Sequence, residues 1–403
     1  MTFKDLCKDG GSYGIAASAV PYSPYLPTYL RITDINDDGT INMNGLKSVD
    51  DPNSRKYYLS PNDIVFARTG ASTGRNYFYD GTDGEFVYAG FLIKFSIDPE
   101  KVNPKYIKYY CQSEEYNNWV RSYNTGSTRG NINAKTYGDM PIVLPARKQQ
   151  DLLVDTLSSL DAKIAINNMI NHHLEQMAQS IFKSWFVDFE PFADGEFIVS
   201  ELGEIPAGWQ VLPLGDVVDI STKTLNPNSF PDVLFEHYSI PAFDELRLPV
   251  FEMASEIKSN KYIVDKSCFL ISKLNPRIKR IWRPYCISEN AVCSTEFIVY
   301  SPKNPSQKDF YYSVIDSTSF TQFLLSHVTG STGSRQRAIP RDTLFFPVAV
   351  PPDRVINDFC EIVTSIYEQY EQNYLENRLL RQTRDSLLPQ LISGELPVHD
   401  LDT

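Results

Sequence analysis

The stretch "NTGSTRGNINAKTYGDMPIVLPARKQQDLL", residues 124–153, has a second version in the same chain: "VTGSTGSRQRAIPRDTLFFPVAVPPDRVINDF", residues 328–359. Each runs from a TGST turn through a proline-tipped apolar segment into a long helical pattern. Four small polar residues would suit any exposed turn, so the repeat of their surroundings carries the inference. Upstream, "KYYLSPNDIVFARTG" (56–70) matches "NKYIVDKSCFLISKL" (260–274), and "FLIKFSID" matches "EFIVYSPK", at nearly the same offset of 204 to 205 residues. Three blocks in one order at one offset mark an internal duplication, and a period this long means a pair of domains rather than a solenoid.

The 403 residues suffice for two to three domains, with 42% hydrophobic and 22% charged residues, a soluble globular composition. No apolar run approaches membrane-spanning length and the N-terminus lacks a signal-peptide pattern, so a cytoplasmic, non-membrane protein is expected. Six cysteines without CxxC or Cys/His spacing argue against a zinc site or a disulfide framework. The adjacent His172 and His173 point to different sides of a helix, and no metal site is expected.

The net charge of −12 is unevenly distributed. Residues 1–145 hold 15 Lys/Arg against 16 Asp/Glu and residues 208–350 hold 15 against 14, whereas 146–207 and 351–403 each hold 4 against 10. The duplicated globular regions are near neutral and free to present a basic face to nucleic acid. The acidic helical regions suit protein partners.

Leu153, Leu157, Leu160, Ile164, Asn167, Asn171, Leu174, Ala178, Ile181 and Trp185 recur at alternating spacings of four and three, the seam of a coiled coil. The same rule 206 residues later gives Phe359, Val363, Ile366, Tyr370, Asn373, Asn377, Leu380, Arg384, Leu387 and Leu391. Both seams carry asparagine at the same two places, and asparagine in an apolar seam serves to fix register. Pairing of the two helices antiparallel would bring Asn167, Asn171, Asn373 and Asn377 together near the middle, about a pseudo-twofold axis. A helix of about 37 residues is about 55 Å long at 1.5 Å per residue, so the expected architecture is a spacer with a reader at each end.

Each repeat shows short β-like runs, "YLRITDI", "DIVFART" and "EFVYAGFLIKFSI" in the first, "HYSIPAF", "SCFLISKL" and "CSTEFIVYS" in the second, followed by helical stretches. The fold class is therefore α+β: two similar recognition domains of mixed β-structure with helices, separated by two long antiparallel coiled-coil-like helices. The expected boundaries are 1–145 for the first domain, 146–190 for the central helix, 191–207 for a linker, 208–350 for the second domain, 351–393 for the C-terminal helix and 394–403 for a tail.

The loops after the second strands hold Arg68, Thr69, Ser72, Thr73 and Arg75 in one copy and Lys273, Asn275, Arg277, Lys279 and Arg280 in the other. The TGST regions add Ser127, Thr128, Arg129 and Asn131, and Ser331, Thr332, Ser334, Arg335 and Arg337. Arginine takes guanine edges bidentately, asparagine takes adenine, and Ser, Thr and Gly groups suit phosphate oxygens; solvated turns have the same composition. The stretch "TGASTGR" lacks the spacing and lysine of a phosphate loop, and no GxSxG, HExxH or defensible acidic pair is present, so no catalytic residue is assigned.

The succession "IVLPARKQQDLLVDTLSSLDAKI", "SIFKSWFVDFEPF", "GEIPAGWQVLPLGDVV" and "RDSLLPQLISGEL" resembles the DNA-specificity subunits of type I restriction-modification systems across essentially the whole chain. The resemblance implies two target-recognition domains, each reading half of a bipartite target in double-stranded DNA, and helices that set the spacing. It implies two methyltransferase (modification) subunits as partners, using S-adenosylmethionine, and motor/endonuclease (restriction) subunits using ATP and Mg2+, with no cofactor bound by this chain. Where the second copy has "GWQVLPLGDVV" the first has only "MTFKDLC", and the tail after Gly394 is expected to complete the first domain. The competing readings are a DNA-independent protein-interaction scaffold and a reader pair with its own DNA-modifying activity.

Overall fold

A computed structural model describes residues 1–43, 45–123, 130–329 and 336–395. It divides into two compact units, Met1–Ile164 with Arg378–Thr403, and Ala165–Asn377. Two long helices, Arg147–Phe186 and Asp353–Ser393, contribute to both.

In the first unit, one antiparallel sheet has the order Ser12–Tyr13, Leu92–Ser96, Asp63–Ala67, Asn76–Tyr79. A second sheet orders Ala19–Pro21, Lys47–Val49, Thr28–Leu30 and Phe86–Tyr88, the last two parallel. The run "EFVYAGFLIKFSI", expected as one strand, divides into Phe86–Tyr88 and Leu92–Ser96, one in each sheet. The break lies where Gly14 passes close by; a Cβ there would sit 2.3 Å from the carbonyl oxygens of Tyr88 and Ala89. Only glycine permits that approach. "YLRITDI" likewise supplies only the end of Thr28–Leu30, because the Asp34 carboxylate then accepts from the backbone N–H and the guanidinium of Arg31 and turns the chain.

The second unit repeats the first sheet in the same order: Val218–Ser221, Phe297–Pro302, Phe269–Ser272, Ile281–Trp282. Its other sheet keeps a parallel pair, Leu234–Tyr238 with Ala291–Ser294, flanked by the antiparallel strands Val250–Met253 and Lys261–Ile263. The copies diverge at the outer edges. The first unit adds Ala19–Pro21 beside Lys47–Val49, and the second adds Thr224–Leu225 beside Lys261–Ile263. "HYSIPAF" is not one strand: after Tyr238 the Ser239 hydroxyl accepts from the N–H of Ala242 and opens the helix Ile240–Leu246, with Pro241 in its first turn.

The helical stretches break at matching places. In the first unit Pro104–Tyr110 gives way to Glu114–Ser122 at the Ser113 cap, and in the second Lys308–Asp316 gives way to Thr318–Ser326 at the Ser317 cap. Serine at each junction takes a first-turn N–H that the helix itself leaves free. The expected linker holds a hairpin, Phe197–Ser200 against Gly203–Pro206.

Within each unit the two long helices run antiparallel. In the first, Leu153, Val154 and Leu157 share a core with Leu388 and Leu391. In the second, Leu174, Ala178 and Ile181 pack with Phe359, Val363 and Ile366. The four seam asparagines are buried and pair crosswise: Asn167 Nδ2 donates to Asn377 Oδ1 at 2.9 Å, and Asn373 Nδ2 to Asn171 Oδ1 at 2.8 Å. Asn377 also donates to Asn168, and Asn171 to the carbonyl of Tyr370. The register is therefore specified by hydrogen bonds that any slip would break.

Arg384, a seam position in the first unit, is answered by Asp161 at 2.9 Å; Lys108 and the Tyr109 hydroxyl reach the other carboxylate oxygen at 3.1 and 2.8 Å. Burial alone would raise the Asp161 carboxyl, but Lys108, Arg384 and Tyr109 outweigh it and hold the group below the usual carboxylate range. A depressed folded-state pKa gives stability that is fully present above the unfolded value near 4 and lost as pH falls through the lower folded value. Asp161→Asn is expected to destabilise the chain by about 2 kcal/mol at neutral pH and to flatten its acid-unfolding profile below about pH 4. Denaturant melts at pH 7 and pH 3 check both.

Candidate nucleic-acid interface

The strands Asp63–Ala67 and Phe269–Ser272 are equivalent, and the loop that leaves each is pinned in the same way. In the first unit the N–H of Arg68 donates to Phe91 O at 3.1 Å and its carbonyl accepts from Ile132 N at 2.9 Å. In the second, Lys273 donates to Glu296 O at 2.9 Å and accepts from Ala338 N at 2.9 Å. The next residues form antiparallel bridges, Thr69 with Asn131 and Leu274 with Arg337. In both units, then, the post-strand loop and the segment following TGST, 57 to 65 residues away in sequence, are joined into one surface. Ser127, Thr128, Arg129, Ser331, Thr332, Ser334 and Arg335 lie outside the described residues.

Among the described cations, most are engaged. Arg75 binds Asp37 at 2.6 Å and the Ile35 carbonyl at 3.1 Å. Arg280, only 7% exposed, forms a bidentate pair with Asp244 at 2.6 and 2.8 Å, anchoring the helix Ile240–Leu246. Lys279 pairs with Asp316 at 2.6 Å, at the end of Lys308–Asp316. Arg337 pairs with Glu296 at 3.0 and 3.2 Å on a more exposed site. These pairs tie the loops to the body of each unit, and an arginine held bidentately by a carboxylate has its charge neutralised and one two-donor edge of its guanidinium occupied.

Arg68, Lys273 and Arg277 have no ion-pair partner among the described residues. The Arg68 guanidinium lies 5.0 Å from the ring centre of Tyr13, with its Nε buried and unpartnered. Tyr13 was missed by the sequence reading; its only signal is an exposed aromatic in the glycine-rich run "GGSYG". Asn275 adopts a left-handed conformation, φ +48°, and its N–H donates to Gln336 O at 2.8 Å. Ser72 is buried, and the Thr73 hydroxyl is within 2.8 Å of Gly70 O and 3.0 Å of Gly130 O, so both shape the loop.

The described residues hold no cluster of His, Cys, Asp and Glu arranged for a metal ion, and no helix among them is long and apolar enough to cross a membrane. The six cysteines are free thiols.

The chain is similar to several known proteins. The profile of the type I restriction modification DNA specificity domain matches residues 25–176. The MjaIX specificity subunit of Methanocaldococcus jannaschii is 25% identical over 321 residues, covering 76% of this chain and 72% of that protein. The HindI specificity subunit of Haemophilus influenzae is 22% identical over 420 residues, covering 86% and 89%. The crystal structure of the type I restriction-modification S subunit from M. genitalium superposes with a TM-score of 0.57 at 15% identity, covering 97% of this chain and 95% of that one, a likeness of fold. The duplicated α+β units with paired long helices define a scaffold of two like units. Residues 25–176 match the type I restriction modification DNA specificity domain, and over most of its length the chain is similar to type I restriction enzyme specificity subunits.

Proposed function

We propose that this chain reads DNA for a type I restriction-modification complex, each α+β unit recognising one half of a bipartite target while the long helices fix the distance between the halves. The observation that carries this reading is the pinned loop pair, built identically in both units and yet carrying different side chains at equivalent positions: Arg68 and Lys273, Thr69 and Leu274, Asn131 and Arg337. A common frame with variable side chains is what two readers of different sequences require.

The chain itself is a non-catalytic, cytoplasmic component in this reading. It binds no cofactor; two methyltransferase subunits bring S-adenosylmethionine, and motor/endonuclease subunits bring ATP and Mg2+. The methyltransferase subunits dock on the long helices. Ile166, Met169, Ile170 and Met177 form an exposed apolar stripe on the first helix, away from its asparagine seam, within a region of strong negative charge. Such a stripe on an acidic helix suits a partner with an apolar strip rimmed by basic residues.

The test is a genome-wide adenine-methylation map in cells carrying the chain with its cognate methyltransferase, against cells carrying the methyltransferase alone. A bipartite motif present only with the chain is expected. Absence of a new motif, with both proteins expressed and the methyltransferase active, would refute the reading.

A further inference from the structure

The positive side chains of the two interfaces look interchangeable in sequence, and the structure separates them. Arg75, Lys279, Arg280 and Arg337 each hold a carboxylate, whereas Arg68 and Lys273, 205 residues apart and pinned by equivalent backbone hydrogen bonds, hold none among the described residues. The adjoining segments 124–129 and 330–335 contain no Asp or Glu that could claim them. Around Arg68 stand Tyr13 and Phe91, both exposed. In the second unit the equivalent of Phe91 is Glu296, and its carboxylate is spent on Arg337 rather than Lys273.

Resting on the DNA-reading function, we infer that Arg68 is the base-reading cation of the first unit, taking the O6/N7 edge of a guanine, and that Lys273 occupies the corresponding place in the second. A guanidinium lying over an aromatic ring keeps its plane and its charge while its terminal nitrogens stay free for a bidentate acceptor. The guanine major-groove edge is such an acceptor pair, and a phosphate is the other. Base reading is favoured by the anchoring. Arg68 has both backbone groups committed and its side chain backed by Tyr13, so its reach is short and directed, unlike a long cation left to follow the phosphate chain. The neutralised cations, by contrast, hold the loop in shape and contribute little charge to DNA.

The experiment uses the full chain co-expressed with its methyltransferase subunits and reads methylated motifs across the genome for the parent, Arg68→Lys, Arg68→Ala and Lys273→Ala. Arg68→Lys keeps the charge and loses the planar fork. It is expected to cut discrimination at one guanine position of one half-site about tenfold or more, leaving the other half-site intact. Lys273→Ala is expected to relax the opposite half-site alone. If Arg68→Ala abolishes assembly, the charge-conserving Arg68→Lys still decides the matter. An unchanged motif in Arg68→Lys, with occupancy lowered evenly over all sites in Arg68→Ala, would mean a phosphate contact and overturn the assignment. If the parent yields no bipartite motif at all, the DNA-reading function falls, and this assignment with it.

Discussion

Four residues inserted into each long helix, after Ile164 in the first and after Asn377 in the second, are expected to abolish modification of the parental target and create one whose half-sites are one or two base pairs further apart. The added rise is about 6 Å at 1.5 Å per residue, close to two steps of 3.4 Å along DNA. The added rotation, about 40° for four residues at 3.6 per turn, is closer to the turn of one base pair at about 10.5 per helical turn. Insertion into one helix only serves as the control. It would carry Asp161 past Arg384, or Asn167 past Asn377, by about one helical turn. Each polar group left buried without its partner costs about 1–3 kcal/mol, so the one-sided variant is expected to lose folding rather than change its target. Motif mapping and thermal melts on the three chains test this; a parental motif retained by the double insertion would show that the helices do not set the distance.

Phe359→Ala is expected to destabilise the second unit by about 3–5 kcal/mol. The side chain is fully buried, with ring-centre distances of 4.8 Å to Phe186, 6.0 Å to Trp185 and 6.2 Å to Phe310. It thus joins the start of one long helix to the end of the other and to Lys308–Asp316 of the recognition unit. Truncation leaves a cavity among aromatic groups that cannot collapse into it without losing one another. Leu379→Ala, at an exposed helical position, is expected to change stability by less than about 0.5 kcal/mol. Denaturant midpoints of the two variants decide; a shift in Phe359→Ala no larger than in Leu379→Ala would show that this aromatic cluster does not hold the unit together.

The duplication, the helix pair and the pairing of four particular asparagines were legible because they are patterns of spacing, and spacing survives divergence of side chains. The helix Arg147–Phe186 exceeds the sequence estimate by only a few residues, and the expected asparagine contacts are present. The strand at Phe86–Ser96 was misread as continuous because apolar periodicity says nothing about which sheet a strand joins; the break comes from the backbone of Gly14, more than 70 residues away. The helix after Tyr238 was misread because "SIPAF" contains residues that suit a strand, while its start depends on the Ser239 cap. For the candidate interface, the sequence could not rank the cations of its loops. Asp37, Asp244, Glu296 and Asp316 lie 36 to 41 residues from the groups they neutralise, and a paired arginine reads in sequence just as an unpaired one does.

The twin pins at Arg68 and Lys273 have a consequence for how such a protein acquires new targets. Where a loop's path is fixed by its own main chain, with N–H and C=O both committed to neighbouring segments, the side chains facing outward can be exchanged without rebuilding the frame that presents them. Specificity then becomes a matter of spelling rather than architecture: point substitutions at a few sites rewrite one half of the target, and the other half, carried by its own frame, is inherited unchanged.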